Sequence, residues 1–238
     1  MSGAVKTAMV LAAGLGTRMR AAANDPPKPL LEIGGQSLLS RLLDRLEAAC
    51  IEKIVINLHH KASDIEAHLA PRHNVAEIVF SDERDALLDT GGGVKKALPL
   101  LGNDPFLVCN ADILWQETDD NIVALMRAFD PSKMDVLLLL ADPQTSTGYD
   151  GAGDYRRDGG GQLRRRHGQE TGLIFSGLRV VTAEIFATMP DGAFSFNQIF
   201  DHAEAAGRLH GMALQGRWMH VGTPEGRAAA QALMNPPA

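Results

Sequence analysis

The sequence is poor in cysteine and has no surplus of basic residues. Its two thiols, Cys50 and Cys109, stand far apart and form no CxxC pair. That argues against a disulfide scaffold or a zinc site and fits a reducing compartment. Lysine and arginine number 23 against 29 aspartates and glutamates, a formal charge of −6. Holding a phosphate polymer over a broad surface needs a dominant basic patch, so no nucleic-acid partner is expected. A local basic pocket for a small phosphate ligand remains compatible with this balance. No apolar stretch reaches the roughly 18 residues that point to a membrane span. The apolar start at residues 8–15 breaks at once into Gly14-Leu15-Gly16-Thr17-Arg18, unlike a signal peptide. No internal repeat or long linker divides the 238 residues. The expectation is a single-domain cytoplasmic protein, monomer or homodimer, with small-molecule substrates and no membrane partner.

What is present is an alternation of short apolar runs and amphipathic segments. Strands are expected at residues 7–12, 53–57, 76–80, 106–109 and 135–140, the last as a central strand. Helices are expected from Ser37 onward, at 62–69, at 93–100 until Pro99 disturbs them, and at 121–129. Strand alternating with helix predicts right-handed crossovers and a mostly parallel sheet covered on both faces, a Rossmann-like three-layer α/β sandwich. Beyond residue 150 the pattern changes. Residues 154–157 and 162–165 flank Asp158-Gly159-Gly160-Gly161, which reads as a hairpin with a loose turn. A strand at 173–181, a helix at 197–206, a strand at 217–221 and a helix opened by Thr223-Pro224 complete the reading. Within the one domain, a first part is placed at about residues 1–130 and a small β-rich lobe at about 131–238.

In an open α/β sheet, ligands bind beyond the carboxyl ends of the strands. The first loop there is Leu11-Ala12-Ala13-Gly14-Leu15-Gly16-Thr17-Arg18-Met19. Its glycines let backbone pass close to a ligand, its amides could line a phosphate chain, and Arg18 adds a fork of donors. An ordinary glycine-rich turn is the alternative. It is not a Walker A loop, because Gly16-Thr17-Arg18 lacks the Gly-Lys-Ser/Thr end. Nor is it a dinucleotide fingerprint, because Met19 stands where the third glycine belongs. In Pro27-Lys28-Pro29 two prolines restrict the backbone around one lysine, which can aim its ammonium group at lower entropic cost. A solvated lysine is the plainer reading.

Together these loops resemble the nucleotide-sugar pyrophosphorylases, whose pattern LxxGxGTRMxP…PKPLxxxxGxxLL falls on residues 11–39. Ala21 stands where the family often has proline. The resemblance continues through Asp89-Thr90-Gly91-Gly92-Gly93, Asn110-Ala111-Asp112, Gly172 to Gly177, and Trp218-Met219-His220-Val221-Gly222-Thr223-Pro224. Pro27-Lys28-Pro29 sets the chain apart from methylerythritol cytidylyltransferases and molybdenum-cofactor guanylyltransferases. With Gly34-Gly35-Gln36 it is most similar to the short muramic acid 1-phosphate uridylyltransferases, and next to mannose 1-phosphate guanylyltransferases. The end at Ala238 is expected to leave no room for the hexapeptide β-helix of bifunctional relatives.

The resemblance implies the nucleotide-diphospho-sugar transferase fold and transfer of a nucleotidyl group from an NTP to a sugar 1-phosphate, releasing pyrophosphate. UTP with N-acetylmuramic acid 1-phosphate, a step in cell-wall sugar recycling, leads; GTP with mannose 1-phosphate follows. A sensor that keeps the pocket without the chemistry is the non-enzymatic alternative. A phosphate monoester is already mostly a dianion at neutral pH, so no general base is needed. The protein has to hold two polyanions together and neutralise them. Arg18, Lys28 and a Mg²⁺ cofactor suit that task, with Asp112 as the metal ligand. The resemblance makes residues 1–130 the nucleotide-binding part and 131–238 the sugar-binding part, and places the nucleotide against Leu11, Ala12, Ala13, Gly14, Gly16, Thr17, Arg18, Lys28, Gly91, Gly92 and Asn110. Glu83 lies where relatives read the base edge. Asn110, Asp154, Glu170 and Gly177 fall to the sugar. His220 is the main departure: relatives carry a second metal-binding aspartate there, and imidazole is a poor Mg²⁺ ligand. His59, His60, His68 and His73 form no ligand constellation. Arg156, Arg157, Arg164, Arg165 and Arg166 read by default as a solvated basic hairpin.

Overall fold

The computed structural model describes residues 5–14, 26–73, 75–117 and 120–234. β1 (Thr7–Leu11) is followed by the two-residue strands β2 (Glu32–Ile33) and β3 (Gln36–Ser37), which lead into α1 (Leu38–Ala48). Then come β4 (Lys53–Leu58), α2 (Ala62–Leu69), β5 (Glu77–Asp82), α3 (Asp89–Leu101) and β6 (Phe106–Asn110). β7 (Leu114–Glu117), α4 (Asn121–Ala128) and β8 (Val136–Ala141) precede the hairpin of β9 (Tyr155–Arg157) and β10 (Leu163–Arg165). β11 (Ile174–Val181), α5 (Asn197–Ala205), β12 (Leu209–Ala213), β13 (Gly216–Met219) and α6 (Pro224–Met234) complete the chain.

Seven strands form one sheet in the order β12-β8-β11-β6-β1-β4-β5. β11 runs antiparallel between β6 and β8, and the other pairings are parallel. Side chains alternate across the sheet, as a period of two requires. Ala8 and Val10 join the leucines of α1 and the apolar side of α2 and α4. Met9 joins Val94 and Ala97 of α3, Phe200 of α5 and the preceding Phe194 and Phe196 on the opposite face. All six residues of β8 are buried, as expected of a strand covered on both sides. α1 turns Leu38, Leu39, Leu42, Leu43 and Leu46 inward, and the Ser37 hydroxyl accepts from the Ser40 amide at 3.1 Å to cap it. Such a cap contributes about 1 kcal/mol.

α3 differs from the sequence expectation. It begins at Asp89 rather than at residue 93, and Pro99 does not end it. The amides of Gly91 and Gly92 both donate to the Phe194 carbonyl, at 2.9 and 3.1 Å. A tertiary anchor thus holds three glycines in a helical turn that propensity alone disfavours. Pro99 lies in the last turn, where it removes one backbone bond, and the helix closes at Leu101 before Gly102 at φ 88°. The expected last strand is β13, which pairs with β7 outside the main sheet. β7 and the edge strand β12 were not anticipated.

Candidate active site

Successive connections leave β1 in opposite directions, toward β4 on one side and, after β5, toward β6 on the other. The crevice at such a switch point is where open α/β sheets bind ligands. Leu11 and Asn110 are register partners at the carboxyl ends of β1 and β6, and the Ala111 amide donates to the Leu11 carbonyl at 3.1 Å.

Pro27, extended at ψ 146°, leads into a single 3₁₀ turn over Lys28–Leu30, closed by the Leu30 amide on the Pro27 carbonyl at 2.8 Å. The turn carries Lys28 across the crevice to Asp112, two residues past β6, with Nζ 2.5 Å from Oδ2. Both side chains stay partly open, at 21% and 34% exposure, so the ammonium group is accessible from solvent. The structure brings together two residues that lie 84 positions apart in sequence. Gly16, Thr17 and Arg18 lie outside the described residues.

The loop after β1 is held differently from expectation. The amides of Ala12 and Ala13, which could have lined a phosphate chain, donate to Asn57 Oδ1 at 2.7 and 3.3 Å. Gly14 is exposed beyond them. Asn57 Nδ2 donates in turn to Glu83 Oε1 at 2.7 Å, and Glu83 Oε2 accepts from the Leu88 amide at 3.2 Å. Glu83 has no exposed surface, so it supports the loop through Asn57 and does not read a base edge. Gly93 makes room for this pair: a Cβ there would stand 2.6 Å from Glu83 Oε1 and 2.9 Å from Asn57 Nδ2. Gly91 and Gly92 likewise answer to packing, against Phe194 and the Gly192 carbonyl. With both amides taken by Phe194, these two glycines leave no free N–H for a ligand.

Asn110, half-buried, projects from the end of β6 to the face where Arg179 lies. Arg179 Nη1 donates to Asn110 Oδ1 at 3.0 Å. Gly177, in the irregular stretch of β11, adopts φ 98° and lies against Ile113, which a Cβ would meet at 2.4 Å. Asp154, exposed, uses Oδ2 to accept the Phe175 amide at 2.8 Å at the start of β11. Glu170 pairs with Arg156 at 2.7 Å, both on the surface.

His220 stacks on Trp218 with ring centres 5.8 Å apart and meets Tyr149 edge-on. Its Nδ1 lies 3.1 Å from the Gly148 carbonyl. A carbonyl only accepts, so Nδ1 carries the proton and Nε2 holds the lone pair in the neutral ring. Of the other histidines, His68 Nε2 joins Ser37 and Ser40 at 3.0 and 2.9 Å, and His59 Nδ1 meets the Glu83 carbonyl. These are structural contacts. The basic hairpin is largely engaged as well: Arg165 pairs with Asp201, and Arg166 donates to the Gly153 carbonyl. Among the described residues no group of three or more His, Cys, Asp or Glu side chains could enclose a metal ion. No described helix is long and apolar enough to cross a membrane.

Asn57 and Arg179 were not anticipated from the sequence. Each had a signal: a polar amide ending the apolar run Ile54-Val55-Ile56, and a charge inside Leu178-Arg179-Val180-Val181.

A parallel switch-point crevice carrying a lysine–aspartate pair defines a phosphate-handling α/β enzyme, with the nucleotide-diphospho-sugar transferase fold. Residues 8–150 match the MobA-like NTP transferase domain, and the chain belongs to that family. An N-acetylmuramate alpha-1-phosphate uridylyltransferase of Caulobacter vibrioides is 45% identical, over 98% of this chain and 99% of its own. The protein of the same name from Neisseria meningitidis is 33% identical, over 95% and 97%. Among solved structures, HddC from Yersinia pseudotuberculosis complexed with GMP-PN has a TM-score of 0.79 at 25% identity, covering 97% of this chain and all of that one.

Proposed function

We propose that the chain transfers the uridylyl group of UTP to N-acetylmuramic acid 1-phosphate, releasing pyrophosphate, as a step in cell-wall sugar recycling. The observation that carries the reaction class is the Lys28–Asp112 pair, 2.5 Å apart at the switch-point crevice. The choice of base and sugar rests on the whole-length likeness to the two uridylyltransferases.

In this reading the sugar phosphate oxygen attacks the α-phosphorus and pyrophosphate leaves in line. Lys28 exchanges part of its contact with Asp112 for phosphate oxygens and stabilises the charge that builds there. Arg18 is assigned the same task on the triphosphate. Leu11 to Gly14 form the floor of the nucleotide site, held in shape by Asn57 and Glu83. Asn110, Asp154 and Gly177 border the sugar; Glu170 is a weaker candidate because Arg156 occupies it.

The donor set fits Mg²⁺. Mg²⁺ takes one or two carboxylates and fills its other positions with phosphate and water, and Asp112 offers a half-open carboxylate at the phosphate-handling edge. Asp112 would hold the ion, which when bound supplies charge neutralisation to the phosphates.

The test is a pyrophosphate-release screen of four NTPs against a panel of sugar 1-phosphates. The largest kcat/KM should come from UTP with N-acetylmuramic acid 1-phosphate. A larger value for GTP with mannose 1-phosphate would overturn the assignment, and silence across the panel would favour a sensor.

A further inference from the structure

Arg179 is a charge in the interior of the protein, with 1% of its surface exposed. Burial pulls its pKa down to about 9, and no carboxylate among the described residues pairs with it. An unpaired buried cation is costly. Part of the cost is offset by the rings around it: the guanidinium centre lies 4.1 Å from the Phe196 ring centre and 5.4 Å from that of Phe175. Its Nε has no hydrogen-bond partner among the described residues. The polar contacts it does make are both at the crevice edge. Nη1 donates to Asn110 Oδ1 at 3.0 Å and, more weakly, to the Gly177 carbonyl at 3.4 Å.

A guanidinium only donates. The amide of Asn110 must therefore turn its carbonyl oxygen toward Arg179, since the reverse orientation would face NH₂ against N–H. Nδ2 is left as the free end, and no acceptor among the described residues meets it. It lies beside Gly177, where a Cβ would approach to 3.3 Å. Register places Arg179 opposite Val108, on the same face of the sheet as Asn110.

We propose that Arg179 is a positioning residue that locks the Asn110 amide with its N–H groups, and not its carbonyl, toward the substrate. Asn110 then serves acceptor oxygens only, such as those of a phosphate. This rests on reading Asn110 as a substrate contact.

The experiment measures nucleotidyl transfer in the full chain for Arg179→Met, Arg179→Lys, Asn110→Ala and the Arg179→Met/Asn110→Ala double variant. Arg179→Met should lower kcat about ten-fold, the effect of one neutral hydrogen bond. Arg179→Lys, whose ammonium also only donates, should recover part of the rate. The double variant should be no slower than Asn110→Ala alone, because the two act as a unit. Losses that multiply, or a folded Arg179→Met at the wild-type rate beside an impaired Asn110→Ala, overturn the proposal. Asn110→Ala at the wild-type rate removes Asn110 from the site and the proposal with it, while leaving the transfer reaction standing. A readout without turnover is the Asn110 side-chain NH₂ pair in ¹⁵N–¹H spectra, assigned by its loss in Asn110→Ala. It should move in Arg179→Met and stay nearer its place in Arg179→Lys; an unmoved pair in Arg179→Met overturns the lock.

Discussion

Asn57 and Glu83 meet 2.7 Å apart in the interior, and the far side of the same asparagine amide receives the Ala12 and Ala13 amides. A wholly buried carboxylate therefore governs the shape of a loop that it never touches. Each of its oxygens faces a donor, Asn57 Nδ2 on one side and the Leu88 amide on the other.

Glu83→Gln should consequently destabilise the protein despite its close size. One carboxamide end must place NH₂ against a donor, leaving that donor buried and unpaired at a cost of about 1–3 kcal/mol. Urea unfolding reads the change in midpoint. An unchanged midpoint would mean that this carboxylate supports nothing.

Lys28→Ala should reduce turnover ten-fold or more while changing the thermal midpoint little. Loss of one charged contact to the transition state commonly costs about 3 kcal/mol, whereas a partly exposed ion pair adds little to stability. Arg18→Ala is expected to act alike. A folded Lys28→Ala protein with wild-type rates would take the Pro27-Lys28-Pro29 turn out of the reaction.

Asp112→Ala should abolish Mg²⁺-dependent turnover, and His220→Ala should be milder, because imidazole binds a hard cation poorly. His220→Asp should lower the Mg²⁺ concentration needed for half-maximal rate by supplying a second carboxylate. Rate against Mg²⁺ concentration measures all three. If His220→Ala is as inactive as Asp112→Ala, and Mn²⁺ or Co²⁺ restores it, the histidine is a ligand and the preferred metal a softer one.

Arg179 sets a pH dependence of known sign. Burial holds its folded pKa at about 9, below the ordinary guanidinium value. Between those values the unfolded chain holds more protons, so this residue's contribution to stability rises as pH climbs through 9. Below 9 the penalty is present in full. Arg179→Met should therefore have a melting temperature at pH 7 at least equal to that of the unaltered chain. A fall of several degrees would mean that the ring contacts and hydrogen bonds outweigh the burial cost.

Much of the sheet was legible because its signals are local. The strands expected at 53–57 and 135–140, found at 53–58 and 136–141, and the helix at 62–69 emerge from runs and periods within one window. Lys28 and Asp112 stand out in the sequence through their motifs, but only the fold brings the two side chains to 2.5 Å. What escaped depends on distant partners. The start of α3 rests on Phe194, the role of Gly93 on Glu83 and Asn57, and the edge position of β12 on β8. None of these partners lies within a helical or strand period of the residue it determines.

The pairing of β1 with β6 also has a consequence for biosynthesis. Ala8 is matched to Ile54 on one side and to Leu107 on the other. At about 5–20 residues per second of translation, Leu107 leaves the ribosome on the order of 5–20 s after Ala8. During that interval one long edge of β1 lacks its neighbour, and its hydrogen-bonding groups are open to other chains. The crevice between the carboxyl ends of β1 and β6 cannot exist until β6 arrives. Ribosome-bound chains stopped before Phe106 should therefore bind no nucleotide, while those extended well past Asp112 gain the side of the crevice that carries Asn110 and the Lys28–Asp112 pair.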